Sequence, residues 1–269
     1  MAIALLALPT PGLRRSFLDD VRQALDCVSP ACPVMSHAHL MRLPDLVQRY
    51  LRNVGVVGQP PVANFRLRLH GRIRSAADSR WMPLRAEQYT FVRERKRFFY
   101  LTSSIFGAPV RGYHRYADGS ASMDIRVAGV VPIVSLTGPE MFQSETVTFL
   151  NDMCLFAPAT LLDPVLVWEA LDGGRVAVRF DNAGVTVRAE LSFNSSGDLI
   201  DFVSDDRYRA ARNGGLMTKL RWSTPVGPYR AFGPLRIGSG GEARWHTSNG
   251  SFAYIELELD GIEYNVRTL

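Results

Sequence analysis

The sequence predicts a mainly β protein of the α+β type: a large curved antiparallel sheet or incomplete barrel, with an amphipathic helix packed on it or in it. Three observations predict this fold class. From residue 62 onwards, apolar and polar residues alternate with the period of two that half-buried strands show. Turn dipeptides such as Asp118-Gly119 and Asn249-Gly250 separate the alternating segments. One helix-like segment, after Thr137, interrupts the strands.

The composition is that of a globular protein with an unevenly placed basic excess. Hydrophobic residues make up 46% of the 269 residues and charged residues 21%, so the chain can bury a full core without disulfides or metals. Residues 1–134 carry 19 Lys and Arg against 9 Asp and Glu, whereas residues 135–269 carry 12 against 17. Nucleic-acid binders more often keep their basic excess uncompensated. We therefore expect no nucleic-acid partner.

The N-terminal region is set apart from the rest by its prolines and its lack of a clear period. We expect residues 1–42 to form a partly helical extension, and residues 43–269 to form a single β-rich domain. No apolar run is long enough for a transmembrane helix. The low, odd cysteine count favours a reducing compartment. We expect a cytoplasmic location, with envelope association as the alternative if the true N-terminus lies upstream. The oligomeric state is not indicated.

Helical spacing of apolar residues predicts two early helices, at Ser16–Cys27 and Leu43–Asn53. The strands follow from Val62 without a linker-like break or an internal repeat. The predicted strands are Val62–Ser75, Trp81–Arg93, Arg97–Ser103, Val110–Tyr116, Ser122–Val127, Val130–Leu136, Val165–Leu171, Arg175–Asp181, Val185–Asn194, Leu199–Arg209, Leu216–Tyr229, Glu242–Thr247 and Ser251–Val266.

The helix between the strands is predicted to begin with a capping box, in which Thr137 is the N-cap and Glu140 is at N3. Its two faces differ in character. One face carries Phe142, Phe149, Met153 and Phe156, and the other carries Glu140, Ser144, Thr148 and Asn151. This is the pattern of an amphipathic helix whose aromatic stripe faces a core or a cavity.

The segment 65–74, FRLRLHGRIR, places Arg66, Arg68, His70, Arg72 and Arg74 on one face of a strand. The segment YIELELDG near the C-terminus shows the same alternation with acidic residues. Opposite charges on facing strands favour pairing. We interpret the arginines as a solvated sheet face that acids partly balance, because no aromatic residue is interleaved among them as in a nucleic-acid site.

Several clusters contain residue types that could carry chemistry, but their spacing favours structural roles. Cys27, Cys32, His37 and His39 are potential metal ligands, yet their spacing differs from that of the common zinc fingers. We expect no metal and no cofactor.

Isolated acids and histidines are interpreted in the same way. Glu145 and Asp152 lie about two helical turns, or ~10 Å, apart, which is too far to share a proton, so we expect a solvated helix edge. We expect His114 and His246 to be isolated strand histidines. None of the common hydrolase, phosphate-binding or dinucleotide-binding motifs is present.

Six segments together resemble a family of bacterial proteins of unknown function. They are LPDLVQRYLRNVGV, GYHRYADGSASM, GPEMFQSETVTFLNDMCLFAPATLL, VWEALD, DDRYR and SFAYIELELDGIEYN, within residues 43–265. Members often carry an N-terminal hydrophobic anchor, from which this chain departs. The resemblance implies no reaction and no catalytic residues. At the level of fold, a curved sheet cupping helices is also similar to the half-barrels of bacterial lipoprotein carriers.

The leading hypothesis is a non-enzymatic protein that binds a hydrophobic or lipid-like small molecule in a half-barrel cavity. The expected ligand-binding residues are Tyr113, Glu140, Phe142, Phe149, Met153, Trp168, Arg207 and Tyr208. Two alternatives remain open. An enzyme of unrecognised type, with Tyr113, Glu140, Arg207 and Tyr208 as candidates, would bring some of them into one cleft. An interaction protein would use an uncompensated basic sheet face to meet an acidic partner or membrane.

Overall fold

The computed structural model describes residues 12–26, 34–211 and 216–269. Within them, the helices are α1 (Leu13–Leu25), α2 (His37–Leu40), α3 (Asp45–Val54) and α4 (Pro139–Leu155), with a short 3-10 helix at Pro158–Leu162. The strands are β1 (Asn64–Ile73), β2 (Met82–Phe91), β3 (Lys96–Ile105), β4 (Ala108–Ala117), β5 (Ser120–Val127), β6 (Val131–Thr137), β7 (Leu166–Ala170), β8 (Arg175–Asn182), β9 (Val185–Phe193), β10 (Leu199–Ala210), β11 (Met217–Ser223), β12 (Tyr229–Phe232), β13 (Leu235–Gly238), β14 (Gly240–Thr247) and β15 (Gly250–Tyr264).

One antiparallel sheet of 13 strands dominates the part of the chain that the structure describes. Its order is β6-β5-β4-β3-β2-β1-β15-β14-β11-β10-β9-β8-β7, so the first and last strands of the β region are neighbours at its centre. Most other neighbours are consecutive in the chain and are joined by tight turns. At the β4–β5 turn, Asp118 and Gly119 have φ angles of 55° and 71°, as a two-residue hairpin turn requires. The predicted fold class is confirmed.

Side-chain contacts between distant strands show how strongly the sheet is curled. Asn182 at the end of β8 donates a hydrogen bond from Nδ2 to the hydroxyl of Tyr116 on β4. Arg209 on β10 donates from Nη2 to the backbone carbonyl of Ser75, just after β1, at 3.3 Å. In a flat sheet these residues would be several strand spacings apart. The sheet is therefore a half-barrel with a concave and a convex face.

Helix α1 covers part of the convex face. The ring of Phe17 lies within 6.0 Å, centroid to centroid, of the rings of Tyr89, Tyr100 and Tyr113 on β2, β3 and β4. The predicted helix, Ser16–Cys27, starts three residues and ends two residues after the observed helix. Cys27 lies outside the described residues.

Helix α4 lies against the concave face, but it does not start as predicted. Its N-cap is Gly138, with a φ of 100°, and Pro139 occupies the first turn. The predicted capping box at Thr137 and Glu140 is wrong, because Thr137 is still the last residue of β6. Glycine tolerates the positive φ at this junction, and the fixed φ of proline suits the first helical position.

The predicted strand Leu216–Tyr229 is wrong in its second half. Strand β11 ends at Ser223, and Tyr229 begins the separate β12–β13 hairpin. Pro225 and Pro228 cannot donate ladder hydrogen bonds, so they end the strand. Leu235 and Ile237 of this hairpin pack in one buried cluster with Phe65, Leu67 and Leu69 of β1.

The basic face of β1 is paired with acids, as predicted. Arg72 contacts Glu256 at 2.7 Å, and His70 Nδ1 lies 2.6 Å from a carboxylate oxygen of Asp260. Arg66 contacts Glu87 of β2 at 2.7 Å. The register of β1 with β15 aligns the two alternating segments. The uncompensated patch that the interaction hypothesis needed on this face is therefore not present.

Candidate functional site

The aromatic face of α4 is part of the solid core. Phe142 and Phe149 pack against the ring of Tyr116 at centroid distances of 5.2 and 5.6 Å, and Phe149 stacks on Phe180 at 6.1 Å. Phe149 and Met153 are fully buried. The interior of the half-barrel beneath this face is therefore filled by side chains. Phe142, Phe149 and Met153 pack within the core rather than forming the wall of an open cavity.

The polar face of α4 is buried as well. Ser144, Glu145, Thr148, Asn151 and Asp152 are each no more than 9% exposed. The predicted solvated edge at Glu145 and Asp152 is wrong, because the curled sheet contacts the helix from several sides. A helix with this pattern on the outside of a sheet would expose these side chains.

Arg97 on β3 holds this polar face in place. Its guanidinium donates from Nε to Asp152 at 2.7 Å, from Nη1 to Glu145 at 3.0 Å, and from Nη2 to the side-chain carbonyl of Gln88 at 2.9 Å. The amide nitrogen of Gln88 donates to Asp152 at 2.7 Å and to Thr90. We call Arg97, Gln88, Glu145, Asp152 and Arg207 the interior cluster.

The charges of the interior cluster are set by burial and by the two arginines. Burial alone would raise the pKa of Glu145, but Arg97 and Arg207 hold it below its usual range. Burial raises the pKa of Asp152, and Arg97 offsets this only in part. Buried carboxylates of this kind need their hydrogen-bonded cations, since removing one partner leaves an uncompensated charge.

Arg207 joins the cluster to a wall of aromatic rings. It donates to the hydroxyl of Thr148 and lies 3.7 Å from Glu145. Its guanidinium carbon sits 4.5 Å from the ring centroid of Trp222, a cation–π distance. Trp222 donates from Nε1 to the hydroxyl of Tyr254 at 3.2 Å, and Tyr254 stacks on Trp245.

His114 on β4 faces the same interior. Its ring packs edge-on against Phe99 at 5.5 Å, and its shielded Nε2 has no hydrogen-bond partner within the described residues. Burial lowers the pKa of His114 to about 4, and Arg97 and Arg207 act in the same direction while Glu145 opposes them. His114 is therefore neutral at physiological pH.

We expect this histidine to make the fold sensitive to mild acid. Folding lowers the pKa of His114 from its ordinary value of 6.5 to about 4, so the unfolded chain binds the proton first. Its contribution to stability is present above about pH 6.5 and is lost as the pH falls towards 4, a loss of about 3 kcal/mol. Denaturant unfolding over this range should show a shallower pH dependence in His114→Gln. The exposed His37→Gln serves as control, and equal slopes in the wild type and His114→Gln would contradict the assignment.

The other predicted site residues do not join this interior as a group. Tyr113 lies on the convex face and donates its hydroxyl to Asp20 of α1 at 2.7 Å. Glu140 is exposed in the first turn of α4. Tyr208 meets the helix through its backbone, whose N–H donates to Ser144 Oγ at 2.9 Å. Trp168 is partly buried on the edge strand β7. The enzyme hypothesis predicted that some of Tyr113, Glu140, Arg207 and Tyr208 converge in one cleft, but Tyr113 lies on the convex face, Glu140 is exposed and Tyr208 meets α4 through its backbone.

A groove opens at the end of the half-barrel where β1 ends and β2 begins. It lies between the β1–β2 loop, the end of β10 and the β14–β15 turn, and its volume is about 410 Å³. We call it the rim groove. Its lining residues are Ala76, Ala77, Asp78, Arg209, Thr247, Asn249, Gly250, Ser251 and Phe252. A second depression of about 280 Å³ shares Arg209 with it and extends along β10 and β11 to Leu220.

Phe252 and Arg209 give the rim groove its chemistry. The guanidinium carbon of Arg209 lies 5.1 Å from the ring centroid of Phe252, a cation–π distance. Phe252 pairs with Trp245 across β14 and β15. The apolar floor of the groove therefore continues into the aromatic wall beside Arg207. Sequence reasoning missed both residues, although both lie in segments that carry the family resemblance.

Metal binding finds no support in the described ranges. They contain no group of three or more His, Cys, Asp or Glu side chains placed to hold an ion. Cys27 and Cys32 of the predicted constellation lie outside those residues, while His39 accepts a hydrogen bond at Nδ1 from the Ser36 N–H of the α2 cap. None of the described helices is both long and apolar enough to cross a bilayer.

These features define a class, an antiparallel half-barrel with a helix enclosed in its concave side. The chain belongs to DUF6544, a family of unknown function, whose match spans residues 33–257. This confirms the resemblance that the six sequence segments indicated. No curated protein matches the sequence.

Two solved structures are similar to the chain at low identity. One is a LolA superfamily protein from Nitrosomonas europaea, with 10% identity, a TM-score of 0.45, and coverage of 82% of this chain and 92% of that chain. The other is a DUF1329 family protein from Desulfovibrio piger, with 9% identity, a TM-score of 0.37, and coverage of 96% and 95%.

Proposed function

We propose that the protein binds a hydrophobic or lipid-like small molecule at the open end of its half-barrel, without catalysing a reaction. The observation that carries this proposal is the rim groove, whose volume of about 410 Å³ lies in the range of small-molecule sites, about 300–1,000 Å³. The interior beneath α4 is occupied by its own side chains, so the ligand lies at the rim rather than under the helix.

The lining of the groove favours an amphiphile. The ring of Phe252 and the methyl groups of Ala76 and Ala77 offer apolar contact, and the aromatic wall of Trp245 and Tyr254 continues behind them. Arg209 and Arg74 offer cations beside this surface, at 5.1 and 5.9 Å from the Phe252 ring, and Asp78 adds a carboxylate to the lining. A mostly apolar site with few polar groups that fix orientation is the usual design of a small-molecule pocket.

Mass spectrometry of what co-purifies with the protein tests the proposal first. Native spectra are compared with an organic extract, using protein from several expression hosts. A stoichiometric lipid or small hydrophobe supports the proposal and identifies the ligand class. Protein that is empty from every host, and that also fails to bind an anionic fluorescent hydrophobe such as anilinonaphthalene sulfonate, contradicts it.

A substitution at Phe252 tests where the ligand lies. Phe252→Ser should weaken probe binding about tenfold, because the ligand loses part of the apolar contact of a phenyl ring. Phe232→Ser is the matched control, since Phe232 is also a partly buried phenylalanine beneath an arginine, Arg230, but lies on the β12–β13 hairpin. An equal loss in both variants would place the ligand elsewhere.

A further inference from the structure

Two hairpin turns at one end of the half-barrel form an apolar tip. The β3–β4 turn and the β5–β6 turn lie side by side, because the N–H of Ala128 donates to the carbonyl of Pro109 at 2.8 Å. Large apolar side chains point outward from this tip and the start of β6. Their exposed fractions are 94% for Phe106, 74% for Val130, 55% for Val131 and 48% for Ile133.

The turns themselves do not account for these residues. Phe106 and Gly107 have φ angles of 48° and 84°, and Ala128 and Gly129 have 52° and 76°. Two-residue turns with both φ angles positive favour Asn, Asp or Gly at the first position, and a bulky residue there is uncommon. Phe106 therefore occupies a position that suits it poorly, and at 94% exposure it packs against almost nothing. A role in contact with another surface explains its presence.

Two arginines, Arg111 and Arg126, flank the tip. Arg111 of β4 and Arg126 of β5 are paired directly across the ladder, and like charges in this position destabilise strand pairing. No carboxylate in the described parts of the chain lies within ion-pair distance of either. A guanidinium nitrogen of Arg111 lies beside Gly129, in the β5–β6 turn. The arginines of β1 differ, since Arg66 and Arg72 have acidic partners.

We propose that this tip, made of Phe106, Val130, Val131, Arg111 and Arg126, docks the protein on an anionic lipid surface. Phe106 and Val130 insert at the level of the headgroups, and the two arginines contact the phosphates. Apolar side chains next to cations are the combination that holds peripheral proteins on anionic membranes. The inference rests on the tip alone and stands whether or not the rim groove binds a ligand.

A second protein chain fits the tip less well than a bilayer does. Two protruding turns offer far less than the roughly 800 Å² per partner of a stable protein interface. Pairing of two copies through the edge strand β6 is opposed by Pro132, which lacks a backbone N–H.

The orientation of the tip links it to the rim groove. Neighbouring strands are antiparallel, so the β1–β2 loop, the β3–β4 turn and the β5–β6 turn all lie at the same edge of the sheet. A protein docked by the tip therefore presents the end of the half-barrel that contains Ala76, Ala77 and Asp78 to the membrane.

Co-sedimentation with vesicles tests the proposal on the full chain. The probes are vesicles of phosphatidylglycerol mixed with phosphatidylcholine, and vesicles of phosphatidylcholine alone. We expect binding to the anionic vesicles that weakens with added salt. Phe106→Ser should lower the partition coefficient about tenfold, and Arg111→Gln and Arg126→Gln should each lower it about fivefold.

Matched variants separate docking from general effects. Val167→Ser removes an apolar side chain of 48% exposure from the opposite edge strand, β7, and Arg188→Gln removes an exposed arginine from β9, on the other arm of the sheet. Neither should change the partition coefficient. Equal binding to both kinds of vesicle, no binding to either, or equal losses in the tip and control variants would overturn the proposal. The proposal would also be overturned if the protein did not bind vesicles but formed a dimer, seen by analytical ultracentrifugation, that Phe106→Ser dissociates.

Discussion

Replacing Arg97 with methionine is expected to lower the free energy of unfolding by about 3–5 kcal/mol, because it leaves the buried Asp152 without its cation and Glu145 with the more distant Arg207. Arg97 is the group that contacts both Glu145 and Asp152 directly, at 3.0 and 2.7 Å. The two acids are only 1% and 3% exposed, so water cannot replace the guanidinium. Denaturant unfolding at neutral pH, monitored by tryptophan fluorescence, measures the loss.

Two further variants show whether the loss comes from the unpaired charges. Arg72→Met removes a comparable arginine from an exposed pair with Glu256 and should cost less than about 1 kcal/mol. Adding Asp152→Asn to Arg97→Met should recover much of the lost stability, since Asp152 is then neutral and Glu145 keeps Arg207 as its cation at 3.7 Å. If the double variant is no more stable than Arg97→Met, lost packing rather than charge explains the effect.

Truncating Phe149 to alanine is expected to lower the free energy of unfolding by about 3–5 kcal/mol, the usual cost of a buried Phe→Ala change. Its ring is fully buried between Tyr116 of β4 and Phe180 of β8. These strands belong to opposite arms of the curled sheet, so the cavity would open between them. Thermal or denaturant unfolding measures the change.

Phe106→Ala provides the comparison for this prediction. Its side chain is 94% exposed, so the same loss of a phenyl ring should change the unfolding free energy by no more than about 0.5 kcal/mol. If Phe149→Ala changes the free energy of unfolding only slightly, the core around α4 must collapse into the cavity or be filled by a ligand. Either result would contradict a solid interior around α4.

Local sequence patterns do not predict the burial of the interior cluster. The helical period of α4 separates an aromatic face from a polar one, and on an exposed helix that pattern would mean core on one side and solvent on the other. The sheet curls until Arg97 of β3 and Arg207 of β10 both meet the polar face. Local spacing contains no information about that curl, because it arises from strand pairing over the whole chain.

The rim groove likewise depends on contacts between residues that are distant in the sequence. Phe252, Arg209 and the β1–β2 loop are distant in sequence and meet only because the end of β10 reaches Ser75. Tyr113 illustrates the converse. It lies one residue from His114, yet the two point to opposite faces of β4, one to Asp20 of α1 and the other to the interior. The alternation of the strand predicts that the two side chains lie on opposite faces, but only the structure shows that α1 covers the face of Tyr113.

Apart from the β12–β13 hairpin, the sequence by itself determined most of the strands, most of the turns and the partial balance of the β1 arginines by acids. These features depend on local periodicity and on φ preferences at turn residues, so they can be recognised within short segments. The opposite charges of Arg66–Arg74 and Glu256–Asp260 indicated that acids of this or another strand balance the arginines, and the structure pairs the two segments. Only the tertiary structure decided that α4 is enclosed, that its acids are buried with Arg97, and that a groove and an apolar tip share one end of the half-barrel. Those outcomes depend on the curvature of a 13-stranded sheet, in which the twist of every strand pair adds to bring distant residues together.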